Sequence, residues 1–174
     1  MKIVIPGGSG HLGHILARAF RAAGDEVVVL SRGERNGEPW RTVRWDGKTL
    51  GRWTEELEGA DAVINLAGRS VHCRYHERNR RSIVESRVES TRVIGEAIAH
   101  CTHPPPVWLQ ASTATLYSHR YDGINDEHTG IVGGAEASAP KKWRFSIEVV
   151  ELWERALNAA KTPPPGRLRC APRS

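Results

Sequence analysis

A chain of 174 residues has the length of one domain and enough material to bury a core. Its 39% hydrophobic and 26% charged composition is ordinary for a globular protein, and no stretch nears the roughly 20 apolar residues of a membrane span. The net charge of +5 does not by itself indicate nucleic acid, and three widely spaced cysteines (Cys73, Cys101, Cys170) fit neither a disulfide framework nor a CxxC zinc site.

Residues 2–5 (KIVI) are a short β-branched run that enters a glycine cluster, which reads as a buried strand leading into a turn. That cluster comes too early for a signal peptide, so a cytoplasmic protein is expected. Leu12, Ile15, Leu16, Ala19 and Phe20 then recur at helical spacing, and Gly24 closes the helix. Residues 26–30 (EVVVL) form a second strand, which completes a strand–turn–helix–strand unit within about thirty residues. Strands follow at 41–45, 61–66 and 107–111, with a short helical piece at 52–58. A long helix is expected over 77–100, with Val84, Val88, Thr91, Ile94 and Ile98 on one side. Residues 113–141, rich in Gly, Asp, Asn and Thr, read as a long loop of the kind that is usually functional or disordered. The last helix spans 142–160, with Phe145, Val149, Leu152 and Ala156 in register, before the Pro163–Pro165 break. Alternating strands and helices imply a parallel α/β sheet.

The first strand ends in Gly7-Gly8-Ser9-Gly10-His11-Leu12-Gly13, a GxxGxxG pattern. One glycine permits the tight turn, the next lets backbone approach a pyrophosphate, and the third lets helix pack close to strand. The free N–H groups and the positive end of the helix then face the phosphates. A flexible glycine turn without a ligand is the competing reading, but the placement between strand and amphipathic helix is the one the motif requires. The predicted fold is therefore a Rossmann doubly wound parallel sheet. Binders of NAD carry an acid at the tip of the second strand, whereas this strand ends Leu30-Ser31-Arg32. A hydroxyl followed by a guanidinium suits a 2′-phosphate and favours NADP(H). The alternative is that Arg32 is a solvated loop arginine.

Taken together, Gly7–Gly13, Ser31-Arg32, Trp45-Asp46, Asn65-Leu66-Ala67-Gly68 and Ser86-Arg87 resemble the atypical, extended short-chain dehydrogenases. More narrowly, DAVINLAG (61–68) and SRVESTR (86–92) resemble the nucleoside-diphosphate-sugar epimerase-like branch of epimerase family proteins. The resemblance covers roughly residues 1–160. It implies that Leu66, Ala67 and Gly68 line the cofactor, that Arg87 reaches it from the long helix, and that Asp46 accepts from the adenine amino group. The alternative reading is that Asp46 opens the turn Asp46-Gly47.

The superfamily chemistry implied by the resemblance needs a Ser or Thr that polarises a carbonyl, a Tyr acid/base, and a Lys four residues later that lowers the Tyr pKa. Ser112 and Thr113, after the fifth strand, match the first role. The YxxxK pair is missing: Tyr75, Tyr117 and Tyr121 are followed at the fourth position by Asn79, Tyr121 and Asn125. Tyr117 is a candidate substitute acid or, equally, a packed aromatic. The resemblance also implies a longer protein with a substrate lobe in its second half. Here an NADP(H)-binding domain is assigned to 1–162, and the basic, proline-containing segment 163–174 is read as a truncated, irregular tail. Most of the C-terminal substrate lobe is therefore expected to be absent.

Arg74, Arg78 and Arg81 share a helix face, but interspersed Glu77, Glu85 and Glu89 favour a solvated, salt-bridged surface over a nucleic-acid patch. His72 and His76 lack an HExxH context, so no metal site is assigned. Two readings follow. The first is an NADP(H)-dependent oxidoreductase or sugar-nucleotide epimerase-like enzyme acting on a small-molecule carbonyl or sugar-nucleotide substrate. The second is a non-catalytic NADP(H)-binding module. A monomer or homodimer is expected in either case, and an unstable fragment that needs a partner chain at its sheet edge is a third, weaker option.

Overall fold

The computed structural model describes residues 1–33, 37–120, 123–126, 128–133, 139–162 and 167–170. Six parallel strands form one sheet: β1 (Lys2–Pro6), β2 (Glu26–Ser31), β3 (Arg41–Arg44), β4 (Ala62–Asn65), β5 (Val107–Ala111) and β6 (Arg167–Cys170). Their spatial order is β3-β2-β1-β4-β5-β6, the doubly wound order in which ligands bind outside the carboxyl ends of the strands where the winding reverses. Among the described residues three α-helices accompany them: α1 (His11–Ala22), α2 (Glu77–Ala99) and α3 (Lys141–Ala159). Short 3-10 turns lie at Arg52–Glu56 and Ala114–Leu116.

β1 and β2 read as continuous apolar runs because both faces of the sheet are covered. Ile3, Ile5, Val27 and Val29 face α1 and pack with Ala17 and Trp40. Val4, Val28, Leu30 and Val63 point the other way, against Ile94 and Ile98 of α2 and Leu157 of α3. Helices α2 and α3 pack on each other through Ile83, Phe145 and Val149. No helix is long and apolar enough to cross a membrane among the described residues.

Three expectations are corrected. The helical stripe placed Leu12 and Ile15 inward, yet they are 54% and 51% exposed, while Gly13 and Ala17 are buried. The cause is glycine docking: a Cβ on Gly13 would lie 2.3 Å from the Gly8 carbonyl oxygen, so helix and loop meet at that face and the apolar stripe rotates outward. On α3, Phe145 and Val149 are buried as expected, but Trp153 and Leu157 complete the stripe in place of Leu152 and Ala156. The tail read as irregular carries β6, which pairs with β5 from Trp108↔Arg167 to Ala111↔Cys170. Edge pairing needs only a short run of backbone N–H groups, and the prolines fall outside 167–170. Parts of the 113–141 loop and of the 163–174 tail lie outside the described residues.

Candidate functional site

The glycine loop is built by close contact. Gly7 has φ +75°, and its N–H donates to Leu30 O (2.9 Å). A Cβ there would lie 2.6 Å from Ala67 Cα, so the β1 turn rests directly on the backbone that follows β4. Gly10 differs: its φ is −81° and a Cβ would meet only Gly7 O, at 3.6 Å. Nothing among the described residues demands glycine at position 10, and the space it leaves opens into the cleft that Gly7, Ser9 and Gly10 line. No side chain caps the start of α1 and its first turn holds no acid, so its N–H groups remain available to an anion.

The cleft encloses about 420 Å³, within the range of small-molecule sites. Its walls come from the strand tips. β2 supplies Leu30, Ser31 and Arg32; the turn after β3 supplies Trp45, Asp46, Gly47 and Lys48; the segment after β4 supplies Leu66, Ala67, Gly68 and Arg69. Ser82, Glu85, Ser86 and Ser90 of α2 close the remaining side. Nine residues predicted from sequence thus meet in one cleft: Gly7, Ser9, Gly10, Ser31, Arg32, Asp46, Leu66, Ala67 and Gly68. Gly8 and Gly13 pack behind the loop, while His11 and Leu12 lie on α1 outside the lining.

Ser31 is buried, and its Oγ accepts from Gly33 N (3.4 Å), while Arg32 is exposed at the rim. Asp46 accepts from Lys48 N (2.8 Å), Thr49 N (2.9 Å) and the Thr49 hydroxyl (2.6 Å). These bonds, the Thr49 hydroxyl foremost, hold its carboxyl below the usual range. Asp46 thus closes its own turn and also lies in the lining of the cleft.

The loop after β4 is fixed by a buried polar network. Asn65 accepts from Ala67 N (3.0 Å) and donates to Gln110 Oε1 (2.9 Å); Thr91 also donates to Gln110 Oε1 (3.3 Å) and accepts from Trp153 Nε1 (2.9 Å). Arg87, expected to reach toward a cofactor, is not in the lining. It donates to Arg69 O (3.2 Å) and Ile83 O (3.1 Å) and lies 5.3 Å from the Trp153 ring centroid. It braces the Gly68–Arg69 backbone from behind, and burial lowers its pKa.

At the tip of β5, Ser112 Oγ donates to Glu154 Oε1 (3.1 Å), a carboxyl only 4% exposed. Thr113 caps the following 3-10 turn, its hydroxyl accepting from Thr115 N (3.2 Å). Tyr117 is buried with Leu116 and Val150, and its ring packs against Gly130. Sequence reasoning missed Lys48, Arg69, Ser82, Glu85 and Ser90 in the cleft and Glu154 beneath Ser112. Glu154, a charged residue one place from the buried Trp153, carried a faint signal; the others look like solvated surface until the fold brings them together. Among the described residues, no three His, Cys, Asp or Glu side chains gather as a metal site.

The NAD dependent epimerase/dehydratase family matches residues 3–133, well over half of the sequence. The chain belongs to that family. Among its relatives, the epimerase family protein YfhF of Bacillus subtilis is 31% identical over 89% of this chain and 48% of its own length. The bovine epimerase family protein SDR39U1 is 30% identical over 90% of this chain and 48% of its own. Among solved structures, human SDR39U1 (isoform 2) with NADPH superposes with a TM-score of 0.74 at 25% identity, covering 97% of this chain and 52% of that one. A nucleoside-diphosphate sugar epimerase from Corynebacterium glutamicum gives 0.68 at 28% identity, covering 92% and 31%. This epimerase-family chain thus spans about half the length of the curated relatives it matches.

Proposed function

We propose that the chain binds NADP(H) in the cleft at the strand tips and serves an oxidoreductase or epimerase-like reaction on a carbonyl compound or sugar nucleotide. The observation that carries this reading is the space at Gly10, which the chain's own packing does not require and which opens at the uncapped start of α1. Ser31 and Arg32, with no acid among the described residues of the β2 tip, favour the 2′-phosphorylated form. The NADPH bound in the human relative supports the same choice. The loop after β4, held by Asn65, would form the wall against which the cofactor lies. When bound, the nicotinamide supplies hydride acceptance or return. Ser112 sits beyond β5, at the carboxyl edge of the sheet, where substrates of such folds bind. With its proton directed to Glu154, its oxygen lone pairs are left to accept from a substrate hydroxyl.

The test is a calorimetric titration with NADPH and NADH, repeated on Arg32→Ala. Wild type is expected to prefer NADPH, and R32A to lose about 10- to 100-fold of NADPH affinity with NADH unchanged. Equal, weak binding of both nucleotides by wild type would sink the reading.

A second reading, a nucleotide-binding module without catalysis, is favoured by Tyr117, whose packing is that of a core aromatic and whose fourth neighbour is Tyr121 rather than lysine. Turnover of NADPH with any carbonyl or sugar-nucleotide substrate would eliminate it.

A further inference from the structure

The tips of β2 and β3 are neighbours, because Trp45 N donates to Ser31 O (3.0 Å). Three residues beyond Trp45, in the turn that Asp46 closes, Lys48 enters the same cleft as Ser31 and Arg32. Its backbone is pinned on both sides. Asp46 takes its N–H (2.8 Å), and Arg92 of α2 donates to its carbonyl (2.8 Å) while Glu89 and Glu96 hold the same guanidinium. The base of the side chain is therefore fixed, and only its four-carbon stem swings.

The ammonium group at the end of that stem is loosely engaged. It stands 3.7 Å from Glu85 Oε2, well beyond the roughly 2.7–2.9 Å of a charge-assisted hydrogen bond. Glu85 relies on it only as a lesser partner: its other oxygen takes Arg81 Nε at 2.6 Å, and that bond is the main reason its carboxyl is held below the usual range, with Lys48 contributing less. If Lys48 departs, Glu85 keeps a close cation. Arg69, the remaining cation of the cleft wall, is committed to Asn79 (2.7 Å). Among the described residues, Lys48 is thus the cation of the cleft that can change partner at little cost, and it lines the same cleft as Arg32.

We propose that Lys48 is the second cation of a 2′-phosphate site: on binding it leaves Glu85 and joins Arg32 on the phosphate. Selectivity for the phosphorylated dinucleotide is then set by the β3 turn as well as by the β2 tip, and Glu85 is a competitor for the same ammonium group. This rests on the NADP(H) reading above.

The experiment titrates the full chain with NADPH and NADH, following nicotinamide fluorescence at two ionic strengths, in wild type, K48A and E85Q. Lys48 and Glu85 are not core residues, and matching thermal unfolding curves establish that each variant is folded. K48A is expected to weaken NADPH about tenfold, to leave NADH within about twofold, and to flatten the salt dependence of NADPH binding. E85Q is expected to tighten NADPH by about two- to fivefold and leave NADH unchanged, since the ammonium group no longer has a carboxylate to leave. A wild type that does not prefer NADPH overturns the NADP(H) reading and this proposal together. A wild type that prefers NADPH, with a K48A variant of undiminished preference, overturns this proposal alone. So does a K48A variant that weakens both nucleotides equally.

Discussion

Asp46 spends its carboxylate on its own turn, accepting from Thr49 Oγ1 and N and from Lys48 N. Its folded-state pKa is lowered relative to the unfolded chain, so the group contributes stability above its unfolded value of about 4. That contribution is lost as pH falls through the lower folded value. D46N is accordingly expected to reduce the melting temperature near neutrality, with the gap to wild type closing as pH falls toward about 2. Thermal unfolding followed by circular dichroism over that range checks it, and a gap independent of pH would contradict it. The same scale shows what sequence reveals about a site. Gly7 and Gly13 were legible because each answers a steric demand that the spacing announces, and Gly10 because the same spacing leaves room at the start of α1. Lys48 was not, because its relevance depends on which turn lies beside Ser31. The contacts of Arg87 with Arg69 O and Ile83 O were not legible either, since a long side chain folds back onto its own helix and the adjacent loop as easily as it reaches forward.

Between elements, the polar network of Asn65, Thr91, Gln110 and Trp153 joins β4, α2, β5 and α3 in a region sealed from water. Thr91→Val keeps the shape and removes the hydroxyl, which leaves the Trp153 indole N–H without its acceptor. A loss of about 1–3 kcal/mol is expected, measured by chemical denaturation with tryptophan fluorescence. A change under about 0.5 kcal/mol would mean that the buried groups find other partners. Element existence was readable here because alternating apolar runs and helical spacings survive in one dimension. Helix orientation was not. The rotation of α1 is set by Gly13 against Gly8, and the stripe on α3 serves two surfaces at once, the sheet and α2.

For the whole molecule, the alternation of strands and helices was enough to anticipate a doubly wound parallel sheet, and the observed order agrees. β6 escaped notice because its evidence is a backbone pairing rather than an apolar run. Its removal offers a test at this scale. A chain ended at Thr162 exposes the outer edge of β5, a row of unpaired N–H and C=O groups. It is expected to melt lower and to self-associate with rising concentration in light scattering. A monodisperse product with the parent melting temperature would show that β6 adds nothing to the sheet.

The central place of β1 bears on the order in which the chain assembles. β1 lies between β2, which follows it closely, and β4, whose Ala62 aligns with Ile3. As the chain leaves the ribosome, β1, α1 and β2 emerge ahead of β4 and β5, with one side of β1 still bare. The backbone on which Gly7 rests arrives only with Ala67, and the network that steadies Asn65 only with Gln110 and Trp153. A motif synthesised ahead of β4, β5 and α3 is thus finished only after them. A nascent chain carrying every glycine of the loop would still lack the wall that gives the loop its shape.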